Sequence, residues 1–287
     1  MNDFRQITAI AVDCLNPGPA AQALEHSMAQ CDFADALLLT DTPVPTQARV
    51  QTIPPIRSRR DYSRFALQQM AAYVTTPYLL IVQWDGFVLD ARQWNSEFLQ
   101  WDYIGAPWPG PNGPRVGNGG FCLRSRRLLD ALADPVFQAA DVELEDHFIC
   151  QVQRAMLERR YGLRFAPAPL AHRFAYESYA PTAPTFGFHG LQNLARHCSQ
   201  THLLALAQAL HADTFKGNQF IGLLTRLMGT HQFSLAQHLL RLALERMAGP
   251  DPERGLETFR QVFKQPVDGN AFVRTCQQLL AMRLPAL

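Results

Sequence analysis

Tyr78 to Leu89 read YLLIVQWDGFVL, an apolar run that follows Pro77 and breaks at Gln83, Trp84, Asp85 and Gly86. A continuous apolar stretch with no polar alternation is the pattern of a strand covered on both faces, as in the middle of an α/β sheet. Asp85 then stands at the carboxyl end of that strand, where open α/β sheets bind their ligands. Gln83, two positions earlier, shares its side of the strand. The alternative is that Asp-Gly turns the chain and nothing more. Both readings stand on this stretch alone.

Working outward, ITAIAV (7–12) and DALLLTD (35–41) are two more short apolar runs. Between them lies PGPAAQALEHSMAQC (17–31), with helix-forming composition and prolines near its start. Strand, helix, strand at this spacing is a βαβ unit. After a proline-rich link, VPTQARVQTIPPIRSRR (44–60), a second helical pattern begins near Asp61 and leads into YLLIV. The first ninety residues therefore predict a doubly wound α/β fold. Residues 101–124, WDYIGAPWPGPNGPRVGNGGFCLR, read as loops with one short strand, GGFCLR. Such a segment is costly to order unless it builds a site. Phe148, Ile149, Val152, Met156 and Leu157 recur at helical spacing and predict a helix from Glu145 to Tyr161 behind the acidic start DVELED (141–146). From residue 199 onward the patterns are helical only: HLLALAQAL, FIGLLTRLM, LAQHLLRLALERM, LETFRQVF and FVRTCQQLLAM. The expected division is an α/β domain over 1–198 and an all-α segment over 199–287.

Composition narrows the setting. A chain of 287 residues with 47% hydrophobic content can bury one sizeable core plus an appendage. A net charge of +1 offers no general attraction to nucleic acid, and no nucleic-acid partner is expected. MNDFRQITAIAVDC enters a strand pattern directly, without the features of a secretory leader, and no apolar stretch approaches the ~20 residues of a membrane-spanning helix. Six cysteines, at 14, 31, 122, 150, 198 and 276, form no C-x-x-C pair, which speaks against a structural zinc or a redox dithiol. Reduced thiols in a cytoplasmic protein are the simplest account.

Three further stretches carry chemistry. GNGGF (117–121) holds three glycines in four residues, which permits positive φ and lets backbone approach a ligand; an ordinary hairpin turn is the alternative. Glu145 and Asp146 open a helix, where the helix dipole favours carboxylates, so capping alone also explains them. His189, in FGFHG (186–190), has the chemistry of a metal ligand or a general base.

Taken in order, QWDGF, WDYIGAPW, VGNGGFCLRS, LEDHFIC and FGFHG resemble a bacterial family of glycosyltransferase-like domains of uncharacterised function, over roughly residues 5–195. That family is similar to the GT-A class of nucleotide-sugar glycosyltransferases. The resemblance implies a GT-A-like, Rossmann-like mixed sheet flanked by helices. It implies donor binding by Asp13, Gln83, Trp84, Asp85, Gly119 and Gly120, a divalent cation (Mn or Mg) held by Asp85 and His189, and catalytic carboxylates at Asp146 and Glu145, with Asp146 as the base of an inverting transfer. Gln83 departs from the class pattern, because it stands where the first acid of Asp-x-Asp would be and removes one negative charge. The partners implied are a nucleotide-sugar donor and a glycan, lipid-linked or protein acceptor, in a cytoplasmic protein or one at the inner face of the membrane. The helices after residue 198 lie outside the resemblance and are expected to pack on the catalytic domain, on a second copy of the chain or on an acceptor-bearing partner.

These residue types suit the reaction. Breaking a sugar–phosphate bond leaves charge on a nucleoside diphosphate that a cation, Arg or Lys must neutralise, and a carboxylate must take the proton from the acceptor hydroxyl. A nucleotidyltransferase or a diphosphatase could use the same strand-end acid and glycine loop, and a non-catalytic helical scaffold remains a third reading.

Overall fold

The computed structural model describes residues 4–110, 113, 115–138 and 142–285. Asp141, the first residue of DVELED, and Pro111, Asn112 and Pro114 of the Gly/Pro-rich stretch lie outside the described residues. The chain divides into two compact units, Met1–His189 and Gly190–Leu287; the expected boundary near residue 198 falls inside the second.

The first unit is built on a six-stranded mixed sheet. Its first four strands are β1 (Ile7–Val12), β2 (Asp35–Thr40), β3 (Arg49–Thr52) and β4 (Tyr78–Ile81). They are followed by β5 (Tyr103–Gly105), the two-residue β6 (Pro107–Trp108) and β7 (Arg115–Val116), and β8 (Cys122–Ser125). The sheet order is β3-β2-β1-β4-β8-β5. β3, β2, β1 and β4 run parallel, whereas β8 is antiparallel to both β4 and β5. The sheet forms where the apolar runs predict it: every residue of β1 is buried, and Ile10, Leu38, Leu80 and Leu123 are each 0% exposed. Burying a side chain of this size contributes about 1.5–3 kcal/mol. α1 (Pro17–Met28) makes the βαβ crossover and α2 (Arg59–Gln68) leads toward β4. Ser58 caps α2 by accepting from the Asp61 N–H at 3.1 Å.

Strand order outward from β1 reverses at β4, so the crevice between the carboxyl ends of β1 and β4 is the topological switch point of the sheet. Three features organise that crevice. Antiparallel pairing of β8 with β4, with Ile81 opposite Cys122, brings the residues entering β8, Asn118 to Phe121, beside the residues leaving β4. A bridge between Val88 and Gly187 ties in β10 (Gly187–Phe188), which runs parallel to β9 (Ala175–Tyr176). Finally, the helix expected over 145–161 is interrupted: one turn, Glu145–His147, is followed by a π-helical turn, Phe148–Val152, and then Arg154–Tyr161. Phe148, Ile149 and Leu157 are buried as the pattern requires, but Val152 is 56% exposed, because the wider π turn rotates the following positions off the core-facing stripe.

The second unit is helical. Its longer helices are Gln200–Ala209, Asn218–Gly229, Phe233–Ala248, Pro252–Val262 and Pro266–Ala281. The last four contact one another in succession, and their apolar stripes meet in a core that includes Leu224, Leu227, Leu240 and Phe259, each 0% exposed. Among the described residues, no helix is long and apolar enough to cross a membrane.

Candidate functional site

QWDG is a tight turn at the end of β4. Gln83 N–H donates to the Gly86 carbonyl and Gly86 N–H to the Gln83 carbonyl, each at 2.9 Å. The chain therefore does turn at Asp85-Gly86, and the turn also aims side chains inward. Asp85 is 3% exposed, and its Oδ1 lies 3.4 Å from His189 Nε2. Gln83 Oε1 lies 3.1 Å from the same nitrogen. On the opposite edge of the ring, Nδ1 is 2.9 Å from Glu177 Oε1 and 2.9 Å from the Asn118 side-chain amide. Burial alone would push the imidazole below its ordinary value; Asp85 and Glu177 outweigh it and hold His189 well above.

The glycine loop is packed against this ring. A Cβ on Gly120 would stand 2.0 Å from His189 Nε2, and one on Gly86 would stand 2.9 Å from the ring's Cδ2. Asn118 occupies the left-handed region at φ +58 and is 2% exposed. Its carbonyl accepts from the Tyr103 hydroxyl at 2.9 Å and its side-chain oxygen from the Phe121 N–H at 3.3 Å.

The far side of the loop meets the two acids. Gly119 N–H donates to Asp146 Oδ2 at 2.9 Å, and Asp146 Oδ1 accepts from the His147 N–H at 2.7 Å. Asp146 is half-buried. Glu145 is buried and bound to Arg124 Nη2 at 2.7 Å; the Arg124 side chain is fully enclosed. A Cβ on Gly119 would stand 2.4 Å from Glu145 Oε1, so a larger residue there would displace the carboxylate from Arg124. Burial and the adjacent Asp146 raise Glu145 against the pull of Arg124. Arg124 itself keeps its charge: burial works against it, and the acidic groups around it prevail. Its other terminal nitrogen, Nη1, is buried with no hydrogen-bond partner among the described residues.

The remaining expected residues lie at the same end of the sheet. Asp13 follows β1, where its Oδ1 accepts from the N–H groups of Leu15 and Asn16 at 2.7 and 2.6 Å and turns the chain toward α1. Trp84 is half-buried at the tip of the QWDG turn. The structure thus joins Gln83, Asp85, Gly120 and His189 directly, and Gly119 with Asp146 and Glu145. Asn118, Glu177 and Arg124 are additional members. Of these, only Asn118 had a local signal, as the single non-glycine inside a glycine run.

The donors that could hold a cation are the Asp85 carboxylate, the Gln83 amide oxygen and His189 Nε2, with the ring's second nitrogen on a carboxylate as ligating histidines usually have. Among the described residues, no group of three or more His, Cys, Asp or Glu is arranged to hold a metal ion. A cation held by these donors would have to take its remaining positions from phosphate oxygens or water.

Residues 47–189 match the family described as "Protein of unknown function (DUF5672)". No curated protein matches the chain. Among solved structures, the chain is similar to a mycobacterial protein at 12% identity and a TM-score of 0.31, over 42% of this chain and 53% of that one. It spans about half the length of that protein. It is also similar to HddC from Yersinia pseudotuberculosis, at 11% identity and a TM-score of 0.29 over 49% and 82% of the two chains. A third similarity is to the mannosyltransferase PcManGT from Pyrobaculum calidifontis, solved with GDP-Man and Mn2+, at 12% identity and a TM-score of 0.40 over 97% and 81%.

Proposed function

We propose that the protein is a glycosyltransferase that moves a sugar from a nucleotide-sugar donor to a glycan, lipid-linked or protein acceptor. The observation that carries the reading is the placement of Gly119 and Gly120 between Asp146 on one side and the Asp85–His189 pair on the other, beside the switch point of the sheet. A carboxylate for the acceptor proton and a polar cluster for the diphosphate thereby flank one stretch of glycine backbone, which comes close to both.

In this reading, Asp13 and Trp84 border the donor, and Asp146 takes the acceptor hydroxyl's proton in an inverting transfer. Glu145, whose carboxylate is held by Arg124, keeps Asp146 in place. Asp85, Gln83 and His189 would hold a divalent cation, Mn or Mg, which when bound supplies positive charge to the departing diphosphate. Residues 1–198 carry this chemistry, and 199–287 serve association with a partner or a second copy.

The test is turnover of UDP-, GDP-, CMP- and dTDP-sugars with Mn present. Asp146→Asn is expected to lower transfer by about 100-fold or more while nucleotide affinity stays within about 2-fold. Pyrophosphate release, or donor hydrolysis without transfer, would favour a nucleotidyltransferase or a diphosphatase. Absence of nucleotide binding would favour a helical scaffold.

A further inference from the structure

Glu177 belongs to none of the motifs of the site, yet it is bonded to the site's histidine. β9 and β10 run parallel with Tyr176 opposite Phe188, so the next residue of each strand, Glu177 and His189, leave the pair side by side. His189 N–H donates to the Tyr176 carbonyl at 2.9 Å. Glu177 Oε1 then meets His189 Nδ1 at 2.9 Å, and the two side chains are only 14% and 9% exposed.

An imidazole has nearly the same outline after a half-turn about χ2, so packing alone distinguishes the two orientations poorly. Gly86 and Gly120 lie close against the ring. The choice falls to hydrogen bonds: at Nε2, Gln83 and Asp85 favour a nitrogen over a ring carbon, and at Nδ1 two neighbours make opposite demands. The Asn118 amide nitrogen, 2.9 Å away, can only donate and asks for a lone pair. An ionised carboxylate can only accept and asks for an N–H, and the charged partner makes the stronger bond. We infer that Glu177 is the positioning residue of His189: it holds a proton on Nδ1 and turns the Nε2 edge toward Gln83 and Asp85. The consequence for transfer rests on the proposed glycosyltransferase reading; the effect on the ring does not.

The experiment uses the full chain labelled with 15N-histidine, with the His189 signals identified by their loss in His189→Gln. Long-range 1H–15N spectra distinguish a protonated from an unprotonated ring nitrogen. In the wild type, Nδ1 is expected to be protonated. Glu177→Leu, which keeps bulk but removes the acceptor, should convert Nδ1 to a lone pair facing Asn118, and Glu177→Ala should do the same if the leucine variant fails to fold. Glu177→Gln, which restores an acceptor, should restore the N–H. Turnover of the best donor should fall about 10-fold or more in the leucine and alanine variants and recover in part with glutamine. An Nδ1 signal that is the same in wild type, Glu177→Leu and Glu177→Ala would overturn the assignment. If the Nδ1 change occurs but no sugar nucleotide is turned over even by the wild type, Glu177 keeps its role and the glycosyltransferase reading falls.

Discussion

The two units of the chain bury very different things. In Met1–His189 the interior holds Asp85, Asp102, Asn118, Arg124, Glu145 and His189 alongside its apolar core, whereas among the described residues of Gly190–Leu287, Asn193 is the one buried polar residue. Burying charge is costly unless every group is paired, so a unit gains nothing in stability by collecting it. Apolar helices already show how this chain packs a core where nothing else is asked of it. The concentration of buried polar groups around the glycine loop of the first unit is therefore the feature on which the proposed site rests.

The contrast is sharpest in single substitutions. Glu145→Ala leaves Arg124 buried without its partner and should destabilise the protein by about 3–5 kcal/mol. Leu239→Ala, in the helical unit at 1% exposure, should cost a similar amount, about 2–5 kcal/mol, by opening a cavity. The difference lies in what reverses the damage. Replacing both partners, Arg124→Met with Glu145→Leu, should recover most of the loss in denaturant unfolding, and no charge change elsewhere should rescue Leu239→Ala. Failure of the double replacement to recover stability would mean that the ion pair does more than satisfy itself.

Much of this architecture is legible in the sequence because it rests on local pattern. ITAIAV, DALLLT and YLLI announce buried strands, and the five longer helices of the second unit follow their apolar stripes. β3 escapes such reading because all four of its residues are exposed and carry no apolar alternation. The π-helical turn at Phe148–Val152 leaves the apolar spacing of a normal helix intact until Val152. The site was legible where ligand-type residues sit in short motifs: Asp85, the glycines, Asp146 and His189. Arg124 and Glu177 were not, because their partners are set by pairings between distant segments: Arg124 with Glu145 through the placement of β8, and Glu177 with His189 through the β9–β10 register. No window of sequence contains such a pairing.

A smaller effect separates the units by pH. His189 has its folded value raised by Asp85 and Glu177. A histidine raised in this way contributes stability that is fully present below its unfolded value of about 6.5 and is lost as pH climbs through the folded one. The gap in unfolding free energy between wild type and His189→Gln should accordingly be widest below about pH 6.5 and narrow as pH climbs through the raised folded value, whereas Leu239→Ala should cost the same throughout. A gap for His189→Gln that widened with pH would show that the pairing with Asp85 and Glu177 does not stabilise the fold.

The Asp85–His189 cluster, at the carboxyl end of β4, is proposed to bind the diphosphate of a nucleotide. Calorimetric titration of the wild type and of Asp85→Asn with UDP, GDP, CMP and dTDP, with and without Mn, tests it most directly. Asn keeps the shape of the QWDG turn and removes the charge, and enzymes commonly lose about 100-fold when a key electrostatic group is removed. At least one nucleoside diphosphate is expected to bind the wild type in the presence of Mn and to bind Asp85→Asn about 100-fold more weakly, with the variant still unfolding cooperatively from a folded state. Equal affinity for wild type and variant, with or without Mn, would contradict it and leave Asp85 as a turn residue alone.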